Sequence, residues 1–248
     1  SFGGGADMAT FSGAIGAASI YGGGGADSLI FAAGAAGATI DAGADADNLL
    51  FVSGQNVVGT TLMGLTTSGD RVSLLGANTM VFGTDGIASG AVVSFGGGAD
   101  MATFSGAIGA ATIYGASGAD SLVFGNTLSG TTISGGDSND VFSGSVTVGS
   151  AGVSFWSGVG NDTFNFNSFT GTGSGTAYFW NEGGHDSIVF NSVVSGGSGA
   201  SGNAAGVRFG ITSGSGLTIS FLGDQTSASF GNGISNLFTV NNSLVSFG

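Results

Sequence analysis

Two stretches of the chain are almost identical. Residues 1 to 31 read SFGGGADMATFSGAIGAASIYGGGGADSLIF, and residues 94 to 124 read SFGGGADMATFSGAIGAATIYGASGADSLVF. They differ at four positions and are offset by 93 residues. A shorter period runs through both stretches, with aspartates 20 residues apart at Asp7, Asp27 and Asp47 and again at Asp100, Asp120 and Asp140. Repeats of this length are typical of architectures in which similar units stack on one another.

Aligning the chain on these aspartates sorts the repeat into columns. With looser spacing the series has nine members: Asp7, Asp27, Asp47, Asp70, Asp100, Asp120, Asp140, Asp162 and Asp186. The residues two and four positions after each aspartate are nearly all apolar, as at Leu29 and Phe31, which predicts a strand with one face turned inward. A third apolar column lies seven residues before the aspartate, as at Ile20 and Ile113. Each unit is therefore interpreted as a coil of two strands and two turns.

We predict an all-β fold, a right-handed parallel β-solenoid with about 20 residues per coil and about 4.8 Å between coils. The solenoid is expected to cover residues 1–191, with an irregular insertion over 52–90, where the columns match poorly. Residues 192–248 are predicted to form a Gly/Ser-rich loop and a less regular C-terminal β segment that caps the solenoid or serves in assembly. The repeated phenylalanines are expected to stack inside the solenoid as its core.

The composition excludes several classes of function. Among 248 residues there are 53 Gly and no Cys, and 15 acidic residues face two basic ones, so the formal net charge is −13. A field of this sign repels phosphate, which argues against nucleic acid and anionic membranes as partners. Without cysteine the chain has no disulfides, thiolate metal sites or thiol nucleophiles. No apolar run approaches the roughly 20 residues of a membrane helix, so no membrane insertion is expected.

The turn before Asp27 carries the most specific motif. Residues 22 to 30 read GGGGADSLI and match the nine-residue pattern G-G-x-G-x-D-x-U-x at every specified position. The other turns match this pattern less fully, because each keeps fewer of the glycines. In this motif the chain resembles the calcium-binding β-roll repeats of RTX proteins, the secreted toxins, proteases and surface-layer proteins of Gram-negative bacteria.

The resemblance implies a Ca²⁺ ion between the turns of neighbouring coils, held by backbone carbonyls and motif aspartates. Carried over to this sequence, the metal ligands would be Asp7, Asp27, Asp47, Asp100, Asp120, Asp140, Asp162 and Asp186. Asp45 and Asp137 lie in the same turns and would add charge. Electrostatics points the same way, since carboxylates about 4.8 Å apart repel by roughly 1 kcal/mol in water. A cation between them would offset that repulsion.

A second interpretation of the aspartates needs no metal. Each would cap its turn by accepting hydrogen bonds from nearby backbone N–H groups, as in Asx turns. Asn would serve equally well in that role, yet all nine aligned positions are Asp, which favours the metal. The opposite turns, residues 12–17 and 32–38, carry no acid. Calcium is therefore expected along one edge of the solenoid only.

Three further features have both a structural and a functional interpretation. His185 is the sole histidine and precedes Asp186 in a turn, where surface variation explains it better than catalysis. Trp156 and Trp180 would form a sugar-stacking pair or a lateral contact surface. Hydroxyl residues eight positions before the aspartate indicate either cross-strand pairs on the solvent side or a ladder for ice or glycan: Ser19, Thr39, Thr112, Thr132 and Ser154.

These observations favour an extracellular structural protein of a surface layer, filament or matrix, a calcium-stabilised and self-assembling β-solenoid secreted to the cell surface. Its expected partners are copies of itself and cell-surface polysaccharide. No catalytic residues are assigned and no enzyme activity is expected, because no Ser, second His or basic residue completes a triad. The alternatives are a carbohydrate-binding adhesin module and a polysaccharide-processing β-helix enzyme, the latter disfavoured by having only Arg71 and Arg208 as basic residues.

Overall fold

The computed structural model describes residues 1–52, 57–171, 175–181, 186–190, 193–194, 208–210, 218–223, 226–230 and 245–247. The chain divides into two compact units, Ser1–Val123 and Phe124–Gly248. The described secondary structure is all β, and the parallel strands are stacked as a β-solenoid of about eight turns with a spacing of about 21 residues. This confirms the predicted fold class. Among the described residues no helix is long and apolar enough to cross a membrane.

The strands are short, as expected for coils that turn every few residues. The first unit contains β1 (Met8–Phe11), β2 (Ser19–Tyr21), β3 (Ser28–Phe31), β4 (Ala35–Ala36), β5 (Thr39–Asp41), β6 (Asn48–Phe51), β7 (Val57–Met63), β8 (Arg71–Leu74), β9 (Asn78–Phe82), β10 (Val92–Phe95), β11 (Met101–Phe104), β12 (Thr112–Ser117) and β13 (Ser121–Phe124), whose last residue begins the second unit. The second unit contains β14 (Thr127–Leu128), β15 (Thr131–Asp137), β16 (Val141–Val148), β17 (Val153–Val159), β18 (Thr163–Gly171), β19 (Thr176–Asn181), β20 (Asp186–Phe190), β21 (Val193–Val194), β22 (Arg208–Gly210), β23 (Thr218–Gly223), β24 (Thr226–Phe230) and β25 (Val245–Phe247).

Two parallel sheets form the first unit. Sheet A has the order β1-β3-β6-β8-β10-β12, and sheet B has the order β2-β5-β7-β9-β11-β13. Successive coils pair in register, so that Leu29 is aligned with Ala9 on one side and Leu49 on the other. The chain alternates between the sheets, and each coil adds one strand to each. Residues 57–90, where an insertion is predicted, contribute β7, β8 and β9 to the two sheets.

The second unit is built in the same way. Sheet C has the order β15-β17-β19-β23-β22, and sheet D has the order β16-β18-β20-β24-β25. Neighbouring strands in these two sheets are parallel, except that β22 pairs with β23 in the antiparallel direction. The predicted Gly/Ser-rich loop lies mostly outside the described residues. The predicted C-terminal β segment contributes β22 to β25.

Stacked phenylalanines form much of the core, as predicted. In sheet A the rings of Phe11, Phe31 and Phe51 stack with centroids 5.0 and 4.5 Å apart and interplanar angles of 7° and 9°. In the second unit Phe142 stacks on Phe164 at 4.6 Å and Phe155 on Phe179 at 5.1 Å. In-register parallel pairing causes this, because residues at the same position of successive coils lie one strand spacing apart.

A third buried column lies in the small-residue turns, where the sequence analysis places only a turn. In the first unit Ile15 bridges to Ala35, which in turn pairs with Val57, and Ile87 bridges to Ile108. In the second unit Leu128 pairs with Val148. Apart from Ile15, these side chains are buried, so the coils that contain them have a short third arm between the two main strands. The apolar residue eight positions after the aspartate was the available signal.

The duplicated stretches lie on opposite sheets of the first unit. Asp7 leads into β1 of sheet A, whereas its counterpart Asp100 leads into β11 of sheet B. In the strand register of sheet A, Asp7 is followed by Asp27, Asp47, Asp70 and Ala91 at the same position of successive coils, which makes four coils. Ala91 has this position because the next residue, Val92, pairs with Arg71. Asp100 lies half a coil further on. The offset of 93 residues thus corresponds to four and a half coils.

Because the duplicated stretches lie on opposite sheets, the hydroxyl residues that were predicted to form one column lie on different sheets. Ser19 and Thr39 are aligned on sheet B, whereas Thr112 lies on sheet A next to Val92. Thr132 and Ser154 are aligned on sheet C of the second unit. Within the first unit these residues do not form one continuous face, which leaves the smaller groups as ordinary cross-strand pairs.

Candidate metal centre

The glycine turns hold backbone conformations that other residues rarely adopt. Gly23 and Gly25, four and two residues before Asp27, have φ angles of 112° and 96°. A Cβ on Gly23 would overlap the carbonyl oxygen of Gly3 in the preceding coil. Left-handed φ and close coil-to-coil approach therefore both require glycine there. The motif glycines pack the turns against one another, as the sequence pattern predicts.

Three turns place a residue other than glycine at these left-handed positions. Asp45, Ala116 and Ser138 have φ angles of 75°, 78° and 83°. Ala116 is the counterpart of Gly23 in the duplicated stretch, and a left-handed conformation costs an L-residue roughly 1–2 kcal/mol. Strain of that kind is local, and glycine would remove it.

We expect Ala116→Gly to raise the free energy of unfolding by about 0.5–1 kcal/mol, since relief of the left-handed strain exceeds the entropic cost of glycine. Gly23→Ala should lower it by about 1–3 kcal/mol. Urea denaturation followed by circular dichroism measures both. Ala119→Gly is the matched control in the same turn, because Ala119 lacks a positive φ, and it should be mildly destabilising. Stabilisation by both alanine-to-glycine changes would contradict the strain argument.

The motif aspartates form hydrogen-bonded ladders along the solenoid. In ladder 1 the backbone N–H groups of Asp7, Asp27 and Asp47 donate to Oδ1 of the aspartate in the next coil, at 2.8, 2.8 and 2.9 Å. The last acceptor is Asp70, whose Oδ2 also accepts from the N–H of Thr67 at 3.0 Å. Each aspartate between the ends thus both donates and accepts between coils. Because each N–H donor in ladder 1 lies 20 or more residues from its acceptor, these aspartates cap the turn of a neighbouring coil and not their own turn. The bond from Thr67 to Asp70 is the one local bond among those named.

Ladder 2 lies on the opposite edge of the first unit, at the turns that lead into sheet B. The backbone N–H of Asn78 donates to Oδ1 of Asp100 at 2.7 Å, and the N–H of Asp100 donates to Oδ1 of Asp120 at 2.9 Å. Beyond ladder 1 the aligned positions hold the small buried residues Ala91 and Ala111, and before ladder 2 the residue aligned with Asn78 is the buried Val57. The prediction that the aspartates share one edge is therefore wrong. Four and a half coils between duplicates move the motif to the other edge.

Ladder 3 belongs to the second unit. The N–H of Asp140 donates to Oδ1 of Asp162 at 2.7 Å, and the N–H of Asp162 donates to Oδ1 of Asp186 at 2.9 Å. Oδ2 of Asp186 lies 3.4 Å from the hydroxyl of Ser157. All eight predicted ligand residues thus belong to one of the three ladders.

Two ladder residues were not among the predicted ligands. Asp70 ends the turn LTTSGD, which hardly matches the motif. Asn78 is not an acid, yet it takes the aspartate position opposite Asp100. The sequence does indicate the position of Asn78, because the apolar residues Met80 and Phe82 follow it by two and four residues, as in the columns after each aspartate.

The second carboxylate oxygen of several ladder aspartates is buried without a hydrogen-bond donor. This holds for Oδ2 of Asp7, Asp27, Asp47 and Asp100. Oδ2 of Asp27 faces Gly22, where an added Cβ would lie 2.8 Å from it. The first glycine of the nine-residue motif therefore leaves room for the carboxylate. A buried polar atom without a partner is costly, and a buried charge without one is more so.

Burial shifts the ionisation of the ladders. Desolvation by burial raises the pKa of Asp47, Asp100 and Asp162 to about 6, and it also raises the pKa of Asp70. At Asp47 the neighbouring carboxylates of Asp70 and Asp27 add to the increase, while the N–H of Asp27 opposes it. In metal-free protein these four aspartates therefore bind protons at a higher pH than an aspartate with the ordinary pKa of about 3.9.

The donor chemistry of the ladders fits a hard cation. Carboxylate oxygens that lack a donor, stacked coil upon coil, supply the negative charge and the oxygen type that Ca²⁺ prefers. The turn carbonyls of Gly3 and Gly23 each accept one bond from the next coil at 2.8 Å, which leaves each oxygen a second lone pair. No cluster of three or more acidic, His or Cys side chains with metal-binding geometry occurs among the described residues. Any ion would thus depend on backbone oxygens as well.

The acids predicted to add charge lie outside the buried ladders. Asp45 is exposed, and its Oδ2 accepts from the N–H of Gly25 at 3.0 Å. Asp137 is also exposed. His185 lies outside the described residues.

The two tryptophans form a ladder of their own on the outer face of sheet C. Their rings stack with centroids 4.7 Å apart and an interplanar angle of 4°. In this arrangement one face of the Trp156 ring covers one face of the Trp180 ring. They therefore do not present two open faces side by side, as a flat sugar-stacking platform requires.

Comparison with protein-family models, curated proteins and solved structures finds no match. The resemblance to RTX repeats therefore rests on the motif and on a parallel β-solenoid compatible with a β-roll.

Proposed function

We propose that this protein is an extracellular structural protein of a surface layer, filament or matrix, a self-assembling scaffold that Ca²⁺ stabilises. The observation that carries the proposal is the set of buried ladder aspartates whose Oδ2 atoms lack donors. In-register parallel pairing of successive coils supports a stiff, regular body. We assign the protein no enzymatic activity, and its partners are copies of itself together with cell-surface polysaccharide.

Bound Ca²⁺ would supply positive charge to the ladder carboxylates and hold them ionised. The aspartates Asp7, Asp27 and Asp47, and separately Asp100 with Asp120 and Asp140 with Asp162 and Asp186, would provide the anionic oxygens. Their Oδ1 atoms keep the adjacent coil in register through its N–H group, while the Oδ2 atoms would supply negative charge to the ion. Folding would then be completed outside the cell, where calcium is available.

Calcium added to chelated protein is expected to raise the melting temperature and the β content. A site saturated a hundredfold above its Kd adds about 2.7 kcal/mol. Mg²⁺ should do less, because it needs octahedral geometry and dehydrates reluctantly. Metal-free protein should also become more stable as the pH falls from 7 towards 5, since aspartates with a native pKa of about 6 bind protons in the folded state first. The calcium effect should shrink over the same range.

Asp47→Asn tests the site directly, because it keeps the Oδ1 acceptor and removes the charge of Oδ2. It should weaken the response to calcium. Asp41→Asn is the matched control, a half-buried aspartate on β5 outside the ladders. Electron microscopy with and without calcium should reveal sheets or fibres. An unchanged melting temperature on adding calcium and on chelation would remove calcium from the proposal, and dispersed particles under both conditions would remove assembly.

A further inference from the structure

Sheet C carries both tryptophans of the chain on its outer face. Trp156 on β17 and Trp180 on β19 occupy the same position of successive coils, and each follows a fully buried phenylalanine. Side chains alternate between the two faces of a strand, so the tryptophans face away from the core, and both are half-buried. Tyr178, two residues before Trp180, lies on the same face and is 39% exposed. Packing of the core therefore does not account for these three rings.

The stack of rings stops at Trp156 on the side of β15. Trp180 covers one face of Trp156 at a centroid distance of 4.7 Å. On the other side the residue aligned with Trp156 is Ser134, whose hydroxymethyl group is too small to cover an indole ring. The coil spacing is about 4.8 Å, so the space above Ser134 has the depth of one more stacked ring. Trp156 and Ser134 together form an aromatic step on the outer face of sheet C.

The surroundings of the aromatic step are rich in hydroxyl groups and poor in charge. Thr132 precedes Ser134 by two residues on the same face of β15, and Ser154 is aligned with Thr132 on β17. All three are half-buried, and their hydroxyl groups have no hydrogen-bond partner among the described residues. Asp137, three residues beyond Ser134, is the only charged residue in β15, β17 and β19.

This combination of groups suits a sugar ring. The negative face of an indole ring attracts the weakly positive C–H groups on one side of a pyranose. Ser and Thr hydroxyl groups both donate and accept hydrogen bonds, as the hydroxyl groups at the rim of a pyranose do. A negative net charge of −13 repels anions, so a neutral sugar fits better than a uronic acid.

We propose that the aromatic step binds one pyranose ring of a neutral polysaccharide, with the C–H face of the sugar stacked on Trp156 and its hydroxyl groups against Ser134 and Thr132. The sugar takes the place that a third tryptophan would take in the stack, while Trp180 holds the Trp156 ring in orientation. This inference rests on the proposed function, in which cell-surface polysaccharide is a partner, and it names the surface that binds it.

Tryptophan fluorescence reports directly on this site, because the chain has no tryptophan elsewhere. The unmodified chain is titrated with cellohexaose, chitohexaose and mannohexaose as neutral probes and with hexagalacturonic acid as the acidic probe. At least one neutral probe is expected to change the emission in a saturable way. The acidic probe is expected to bind at least about tenfold more weakly. A dilution series without sugar is the control for contact between copies.

Ser134→Trp tests the site without removing a ring. It places an indole ring beside Trp156 where the sugar would stack, so the affinity measured by titration calorimetry should fall at least about tenfold. Trp156→Ala should cause a similar loss, and its thermal unfolding curve shows whether it still folds. Tyr21→Ala is the matched control, since Tyr21 is an exposed aromatic residue on sheet B of the first unit, and it should leave the affinity unchanged.

The outcomes separate this site from the scaffold role. Absence of a saturable response to every neutral probe, or sugar binding that Ser134→Trp leaves intact, would overturn the site. An emission change that follows protein concentration alone would instead assign the tryptophans to contact between copies. Light scattering of the unmodified chain reports self-assembly separately. Assembly without sugar binding would overturn the site and leave the self-assembling scaffold standing, whereas sugar binding without assembly would do the reverse.

Discussion

Phe104→Ala is expected to lower the free energy of unfolding by about 3–5 kcal/mol, the usual cost of removing a buried phenylalanine ring. Phe104 is buried and stacks on Phe82. The parallel backbones on either side fix the coil spacing, so the cavity cannot close by local collapse. Denaturant unfolding of dilute, chelated protein, followed by circular dichroism, measures the loss without contributions from metal or assembly.

Phe11→Ala provides a control within the same sequence, MATFSGAIGA, which occurs around both residues. Phe11 is half-buried; its ring stacks on Phe31 of the following coil and meets the exposed Phe2 edge-on at 6.2 Å. Its loss should cost at most about 2 kcal/mol, because less apolar area leaves water on folding. Equal losses at the two positions would show that ring stacking between coils does not depend on depth in the solenoid.

Asp100→Ala is expected to cost about 2–4 kcal/mol in chelated protein. Oδ1 of Asp100 accepts from the backbone N–H and the side-chain Nδ2 of Asn78, at 2.7 and 2.8 Å. Alanine leaves the backbone N–H of Asn78 buried without an acceptor, a loss that costs about 1–3 kcal/mol. It also removes one of the two acceptors of Nδ2, which keeps its bond to the carbonyl of Gly76. Removal of a carboxylate whose pKa is raised to about 6 by burial offsets part of this cost. The midpoint of urea denaturation at pH 7 measures the net effect.

Asp100→Asn separates the ladder from the charge. Its amide oxygen can still accept from Asn78, so we expect a change below about 1 kcal/mol in chelated protein. Asp41→Ala removes a charge outside the ladders and should have little effect on stability. If Asp100→Asn were as destabilising as Asp100→Ala, the carboxylate charge and not the hydrogen bond to Asn78 would be the stabilising element.

The apolar columns were readable from the sequence because pairing in parallel register preserves them. Leu29 and Leu49, or Phe31 and Phe51, occupy the same position of adjacent coils, so the period in the chain is the period in space. The third arm through Ile108 and Leu128 was missed because its apolar residues are isolated among Gly, Ala and Ser. A single apolar residue does not produce the alternation that marks a strand.

The placement of the candidate site was harder to predict. The motif identified every predicted ligand of the ladders, but it carries no information on which sheet follows the turn. That depends on the number of half-coils between Asp47 and Asp100. The coil from Asp47 to Asp70 has 23 residues instead of 20, and β7 within it has a register shift between Val58 and Thr60. The sequence also could not predict that Oδ1 accepts a backbone hydrogen bond while Oδ2 lacks a donor, because this difference depends on how closely the neighbouring backbones approach.

Either sheet of the first unit can accommodate the same repeat sequence. The same residues form β1 on sheet A and β11 on sheet B, and each fits its neighbours in register. A duplication that adds a half-integral number of coils is then as acceptable to the fold as one that adds whole coils. A gene for such a protein can therefore lengthen by more kinds of duplication than a gene for a solenoid with two unlike sheets. The number of half-coils that each duplication adds decides which edge of the solenoid carries the new aspartate turns.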